Sequence, residues 1–396
     1  MTRSLSTSGG IFLFASTIIG AGILALPIVA FKAGFLPLAS MIVAIAAVSA
    51  FSGFYIAESV AARDEELHLP ALAKRYLGSW GMIVMLVGIG IYTYGALVGY
   101  LAAGGQIVNI LSGGTLPIWA GVLLYFVIGS VILHQGVAWV SRINGYLMYV
   151  MLLLLGILIS MAAPRIQVPY LIRADWKSIL DVFGVVLFAF LGHSVIPSIA
   201  SILQNKKRIL LVVSLGIALP CALYLLWSAV VLGAVPATAA SGASLAAAQA
   251  NGEPATIPLG FIIGGSVITL GNAFAALSML TSYMGFGVSL KDSYASLGRQ
   301  RRAIPGLSLT GLVVVPPLLL ALLVPGAFVR ILDIAGTFGG GLFVGVLPVL
   351  IVLKVRRSGS PRGFTTWGGS LVPYAVLAIY VFGMLYTAAR LFGEVS

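Results

Sequence analysis

Long, unbroken stretches of apolar residues alternate with short polar ones from end to end of the chain. Crossing a bilayer as a helix takes about 20 residues. Apolar runs of that order fall at about 11–31, 37–59, 81–103, 116–134, 143–162, 178–200, 209–232, 257–289, 306–324, 328–353 and 369–389, numbered here as spans 1 to 11. They are continuous rather than alternating within ten-residue segments, which predicts helices and not a transmembrane β-barrel. Residues 61–79 carry Asp64, Glu65, Glu66, Lys74 and Arg75 and read as an amphipathic helix or a solvated linker. Residues 234–256 are rich in Ala, Ser, Gly and Thr and read as a short helical lid or an irregular connection.

Composition turns this pattern into an all-α membrane protein. Of 396 residues, 60% are hydrophobic and 8% charged, whereas a soluble domain carries about a quarter charged. Lipid must cover most of the exterior. A net charge of +12 would suit a nucleic-acid partner if the bases were gathered on one face. Instead they sit in short clusters between spans, as the positive-inside rule places them. With a cytoplasmic N-terminus, 16 of the 22 Lys and Arg fall inside: Arg3, Arg63, Lys74, Arg75, Arg142, Lys206, Lys207, Arg208, Lys291, Arg299, Arg301, Arg302, Lys354, Arg356, Arg357 and Arg362. The other six, Lys32, Arg165, Arg173, Lys177, Arg330 and Arg390, fall outside. That bias predicts an integral protein of the bacterial inner membrane with its C-terminus outside. The first run continues past Pro27 without a small-residue cleavage pattern and reads as a retained span. Cys221 stands alone and reads as a buried structural thiol. No cofactor and no obligate protein partner is indicated.

Two spans are interrupted. Span 1 contains Ile18-Ile19-Gly20-Ala21-Gly22-Ile23-Leu24-Ala25-Leu26-Pro27, and span 6 contains Phe190-Leu191-Gly192-His193-Ser194-Val195-Ile196-Pro197-Ser198. Glycine weakens a helix by about 1 kcal/mol relative to alanine, and proline removes a donor and disfavours helix before it. Two such segments five helices apart divide the chain into residues 9–162 and 176–353, with 369–389 left over. Each half holds five spans and would have opposite topology, a 5+5 inverted repeat with an extra C-terminal helix. Transporters use this architecture. An unwound segment bares N–H groups that suit a carboxylate and C=O groups that suit an ammonium or a cation. A small-molecule amino acid satisfies both.

At these residues the chain resembles the bacterial hydroxy and aromatic amino acid permeases, of the amino acid–polyamine–organocation superfamily. Gly20–Pro27 is similar to that family's opening motif. His193-Ser194-Val195-Ile196-Pro197-Ser198-Ile199 is close to its His-Gly-Ser-Val-Pro-Ser pattern, and Thr281-Ser282-Tyr283-Met284-Gly285 with Asp292 to its eighth-span pattern. Tyr94 and Tyr100 stand where its third span has aromatics. Ser194 replaces a glycine, Gly192 precedes the histidine where an aromatic is expected, and Lys291 replaces an apolar residue. The resemblance implies the fold of the bacterial leucine transporter and ion-coupled uptake of aromatic or hydroxylated amino acids, usually driven by protons.

The candidate substrate contacts are then Gly20, Ala21, Gly22 and Ile23 from span 1 and Gly192, His193 and Ser194 from span 6. Tyr94, Phe190 and Tyr283 are candidates for an aromatic wall. The plain alternatives are small-residue helix packing, a histidine bonded to a neighbouring helix and ordinary aromatic packing. Ionisable groups inside spans are costly, which narrows the coupling candidates. For proton symport they are His193 and Glu58, the latter free to snorkel or to pair with a cytoplasmic base as an inner gate. Asp333 either pairs with Arg330 three residues earlier or serves as an outer gate. For sodium symport, Ser278, Thr281 and Ser282 could offer hydroxyls to carbonyls near Ser16 and Ile19, since the superfamily often holds sodium between spans 1 and 8. A channel would show a charged or carbonyl-lined pore. An enzyme would need a clustered acid–base or metal set, and His68, His134 and His193 are too scattered. A membrane sensor sharing the same pocket remains the alternative of a different class.

Overall fold

The computed structural model describes residues 6–62, 68–135, 137–203, 208–239, 243–298, 306–324, 328–358 and 364–393. Arg3, Arg63, Asp64, Glu65, Glu66, Lys206, Lys207, Arg299, Arg301, Arg302 and Arg362 lie outside them. Helices occupy every predicted span. Span 1 is Thr7–Ile18 plus Gly22–Val29, bent by 48° at the break. The others are Phe35–Ala61, Leu69–Leu111, Ile118–His134, Val137–Ala162, Trp176–Ala200 in several pieces, Ile209–Ala234, Gly265–Gly298, Gly306–Leu323, Phe328–Arg357 and Leu371–Leu391. Among the described residues nine helices are long and apolar enough to cross a membrane, and the bent pair makes a tenth. Ile118–His134, at 17 residues, is shorter.

One boundary differs from those read in the sequence. Gly264, at φ 124°, separates a short helix, Thr256–Ile263, from span 8, which starts at Gly265. That backbone region strongly favours glycine, so a run that is continuously apolar is still cut in two. Gly78, at φ 77°, likewise kinks the third helix. Residues 69–77 therefore form a separate helical arm, which matches the helix expected within 61–79. The lid expected in 234–256 is a helix at Leu245–Asn251, capped by the Ser244 hydroxyl.

The exterior is apolar and includes Trp119, Leu153, Leu371, Phe382 and Leu385, each more than half exposed. That is the surface lipid requires. Inside, close helix contacts are made at glycine. A Cβ on Gly339 would lie 2.5 Å from the Tyr92 nitrogen of span 3, and one on Gly336 would meet Gly184 of span 6. Residues Ala335–Val346 of span 10 adopt a π-helix, a form found mostly as short insertions at functional sites.

Glu58 of span 2 is 3% exposed. Its two carboxylate oxygens accept from Arg356 Nε and Nη2 at 2.8 Å, at the end of span 10. Thr366 donates its amide and hydroxyl to the same carboxylate, at 2.9 and 2.6 Å. A bidentate pair, with Thr366 adding two more donors to Oε2, holds two helices and the following loop together. Removing one partner of a buried pair typically costs about 3–5 kcal/mol. Glu58→Gln is therefore expected to lower the apparent unfolding temperature of the detergent-solubilised protein by several degrees. An unchanged transition would contradict the clamp.

Candidate functional site

The breaks in spans 1 and 6 lie against each other. After Ile18 the helical bonds stop. Ile19 still donates to Ala15, but the amides of Gly20, Ala21 and Gly22 donate to no described residue, and the carbonyls of Ser16, Thr17 and Ile19 accept from none. In span 6, Phe190 and Leu191 close a last turn onto Leu187 and Phe188. The amides of Gly192, His193 and Ser194 then donate to no described residue, and Pro197 opens the next half-helix, Ile196–Ile202, where its fixed φ is pre-organised.

Glycine brings the breaks together. A Cβ on Gly22 would lie 2.6 Å from Ala189, and one on Gly192 would lie 2.7 Å from Ile18. Tyr224 of span 7 sits between them, its hydroxyl 2.8 Å from both the Ile18 and the Ala189 carbonyl, the last acceptors of the two half-helices. Tyr92 of span 3 donates to the Leu191 carbonyl at 3.1 Å. Two tyrosines thus serve three of the carbonyls freed by the breaks, the single Tyr224 proton being shared between two of them. The others and six amides are left for something else.

A cavity of about 480 Å³ runs from the membrane face that carries the start of span 1 to the residues flanking the two breaks. That lies within the usual ligand-pocket range, about 300–1,000 Å³. Ser16 and Thr17 line it at the end of one half-helix, and Ser194 and Val195 at the beginning of another. Phe12, Ile89, Met148, Tyr149 and Phe286 supply apolar walls. The opposite face is sealed. Arg173 donates to the carbonyls of Phe31 and Lys32, Asp175 donates its amide to Ala33, and Ala255 donates to Leu24 at 3.2 Å. Gln106 reaches the Asn251 carbonyl of the lid helix at 3.0 Å.

The predicted site residues divide accordingly. Gly20, Ala21, Gly22, Ile23, Phe190, Gly192 and His193 all lie at the breaks and are buried, while Ser194 and Ser16 face the cavity. His193 bonds through Nε2 to the Ser49 carbonyl of span 2 at 2.9 Å, the helix-to-helix alternative allowed for it. Tyr94 and Tyr283 stand elsewhere. Tyr94 bonds to Tyr294 and to the Leu312 carbonyl, and Tyr283 packs on Gly129 and bonds to Ser130. The sequence reading missed Tyr92, Tyr224 and Phe286. Tyr92 and Tyr94 are two residues apart, about 200° around a helix, so only one can face the break. Tyr92 ranges with Ala96, Gly99 and Tyr100, and that small-residue stripe was the available signal.

Oxygens that could hold a cation lie on span 8, which meets the break in span 1 at Ser282 and Gly20. The Ser278 hydroxyl is buried without a partner, and the Ser282 hydroxyl faces Gly20 and Tyr100. Thr281 is turned onto the Ser278 carbonyl of its own helix. With the free carbonyls of Ser16 and Ile19 this is an all-oxygen set, suited to a hard cation. Asp333 pairs with Arg390 of span 11; Arg330 is exposed.

These features define a membrane permease built around two interrupted helices, and the comparisons agree. The chain belongs to the tryptophan/tyrosine permease family, whose profile matches residues 3–387. It is similar to tyrosine-specific transport system 1 of Haemophilus influenzae, 28% identical over 96% of each chain. It is also similar to a tryptophan-specific transport protein of Pseudomonas aeruginosa, 26% identical over 98% of this chain and 95% of the other. Its fold is shared with Mhp1, a nucleobase-cation-symport-1 family transporter solved in a closed conformation with bromovinylhydantoin bound. The TM-score is 0.63 at 14% identity, covering 100% of this chain and 95% of that one.

Tyr224→Phe would leave the Ile18 and Ala189 carbonyls buried and unpaired, at a cost of about 1–3 kcal/mol. A lower apparent melting temperature with unchanged folding yield is the expected outcome in a thermal-unfolding assay. Equal stability would mean that the hydroxyl does not join the breaks.

Proposed function

We propose that this chain imports aromatic amino acids, tyrosine or tryptophan, across the bacterial inner membrane by secondary active transport coupled to an inward proton gradient. The observation that carries the reading is a cavity that reaches Ser16 and Thr17, whose carbonyls are free at the end of one half-helix, and Ser194, whose amide is free at the start of another. The carbonyls suit the substrate's ammonium group and the amide its carboxylate, while Phe12, Tyr149 and Phe286 suit an aromatic ring. Membership of the tryptophan/tyrosine permease family and its tyrosine- and tryptophan-specific relatives support the choice of ring.

With the N-terminus cytoplasmic, as the Lys/Arg bias favours, the cavity opens inward and the sealed face is external. The structure is then the inward-open member of an alternating-access pair, with residues 9–162 and 176–353 as the inverted repeats. One elementary charge entering through 100 mV supplies about 2.3 kcal/mol. That allows roughly 50-fold accumulation of a zwitterion, at about 1.4 kcal/mol per tenfold. A second reading, sodium symport, draws on the buried Ser278 hydroxyl and the carbonyls of Ser16 and Ile19.

Proteoliposomes preloaded with unlabelled tyrosine or tryptophan are expected to take up the labelled compound by counterflow. They should also accumulate it under an imposed pH gradient without sodium. Absence of counterflow would favour a sensor over a transporter. Accumulation that needs sodium and ignores the pH gradient would select the second reading.

A further inference from the structure

Among the described residues, three acidic or basic side chains are buried within the spans: Glu58, His193 and Asp333. The first two are poorly placed to bind and release a proton. Both oxygens of Glu58 are occupied by Arg356 and Thr366, and the pair is charge-neutral. His193 donates from Nε2 to Ser49 and packs edge-on against Phe14, with no carboxylate to balance a second proton.

Asp333 differs. It lies in span 10 directly before the π-helical segment and is 7% exposed. Its Oδ2 accepts from Arg390 Nη2 of span 11. Its Oδ1 is buried without a partner and faces Gly184 of span 6, beside the Thr337 hydroxyl. Arg390 also reaches Asp181, at the start of span 6, at 3.5 Å, and Tyr386 donates to the same Asp181 oxygen at 3.3 Å. The remaining neighbours bring no acid or base. Span 3 meets this turn through Gly95 and Gly99, and the half-helix Gly22–Val29 is wholly apolar. Arg330, on the same helix, is exposed. Two carboxylates therefore share one guanidinium, an excess of one negative charge that a single proton removes. The side chains of Asp181 and Arg390 are 34% and 25% exposed, which connects the cluster to the sealed face.

We propose that Asp333 is a proton-binding site that, with Arg390 and Asp181, latches the outer side of the protein. A proton arriving past Asp181 forms the O–H bond on Asp333 Oδ1. Arg390 then remains paired with Asp181 alone, both charges balanced, and span 10 is released from its tie to span 11. The proton leaves again when Arg390 returns to Asp333. The proposal rests on the proton-symport reading and names the group that would serve it. It also gives the extra C-terminal helix a role, since Arg390 is the latch's only cation among the described residues.

The test is outer-face accessibility at fixed neutral pH. Leu24 is fully buried beneath Ala255 on the sealed side. A Leu24→Cys reporter in a Cys221→Ser background is exposed to a membrane-impermeant maleimide in proteoliposomes. Asp333→Asn, which imitates the protonated carboxyl, is expected to raise the labelling rate about tenfold, and Asp333→Glu is expected to keep it slow. Asp333→Asn should also abolish accumulation of labelled tryptophan under an imposed pH gradient. Labelling at the parent rate, or accumulation equal to the parent's, overturns the proposal. If Asp333→Asn does not fold, Arg390→Gln removes the latch from its partly exposed side and must give the same faster labelling. Counterflow by the parent is measured in the same vesicles. Its absence would count against the transport reading, while the labelling comparison still judges the latch.

Discussion

Everything in this molecule answers to one constraint: a peptide group within a membrane span has no water to bond to, so a helix that stops midway must find other partners for the groups it frees. Spans 1 and 6 both stop midway, and they stop beside each other. Tyr224 and Tyr92 take up the Ile18, Ala189 and Leu191 carbonyls. Gly22 and Gly192 let the backbones approach closely enough for this to happen. The carbonyls and amides still unsatisfied lie at and just behind the end of the cavity lined by Ser16, Thr17 and Ser194, where a buried polar group calls for a partner.

Around this centre the two faces of the protein are built differently. On one face the cavity is open, yet the Glu58–Arg356–Thr366 clamp on that face remains fully formed. A clamp intact beside an open cavity acts as a fixed tether between spans 2 and 10 rather than as the gate. On the other face, the Arg173 guanidinium and the backbone amides of Asp175 and Ala255 bond to carbonyls in the last part of span 1 and close it. There the ionic contact of Asp333 leaves one oxygen unsatisfied. The fully satisfied pair resists change; the incompletely satisfied one is poised for it.

Much of the architecture was legible in the sequence because lipid leaves few solutions. Continuous apolar runs had to be helices, and the Gly-Ala-Gly and Gly-His-Ser segments had to weaken two of them. Side-chain direction was harder to read. Tyr94 and Tyr92 have the same chemistry two positions apart, and helix rotation sends only Tyr92 to the break. Asp333 stands three residues from Arg330, the spacing of an ordinary ion pair, but span 11 supplies a better-placed base from 57 positions away. Gly264 sets a helix boundary inside an apolar run by adopting positive φ, a choice that an apolar pattern does not reveal.

The central claim is that free backbone groups at two helix breaks hold both ends of an amino acid zwitterion. It is tested most directly by equilibrium competition against labelled tryptophan, using tryptamine, which lacks the carboxylate, and indole-3-propionate, which lacks the ammonium group. Each lost charge-assisted bond is worth about 1.5–3 kcal/mol, so both analogues should bind at least about tenfold more weakly than tryptophan. An analogue lacking either group that competes as well as tryptophan would contradict the account.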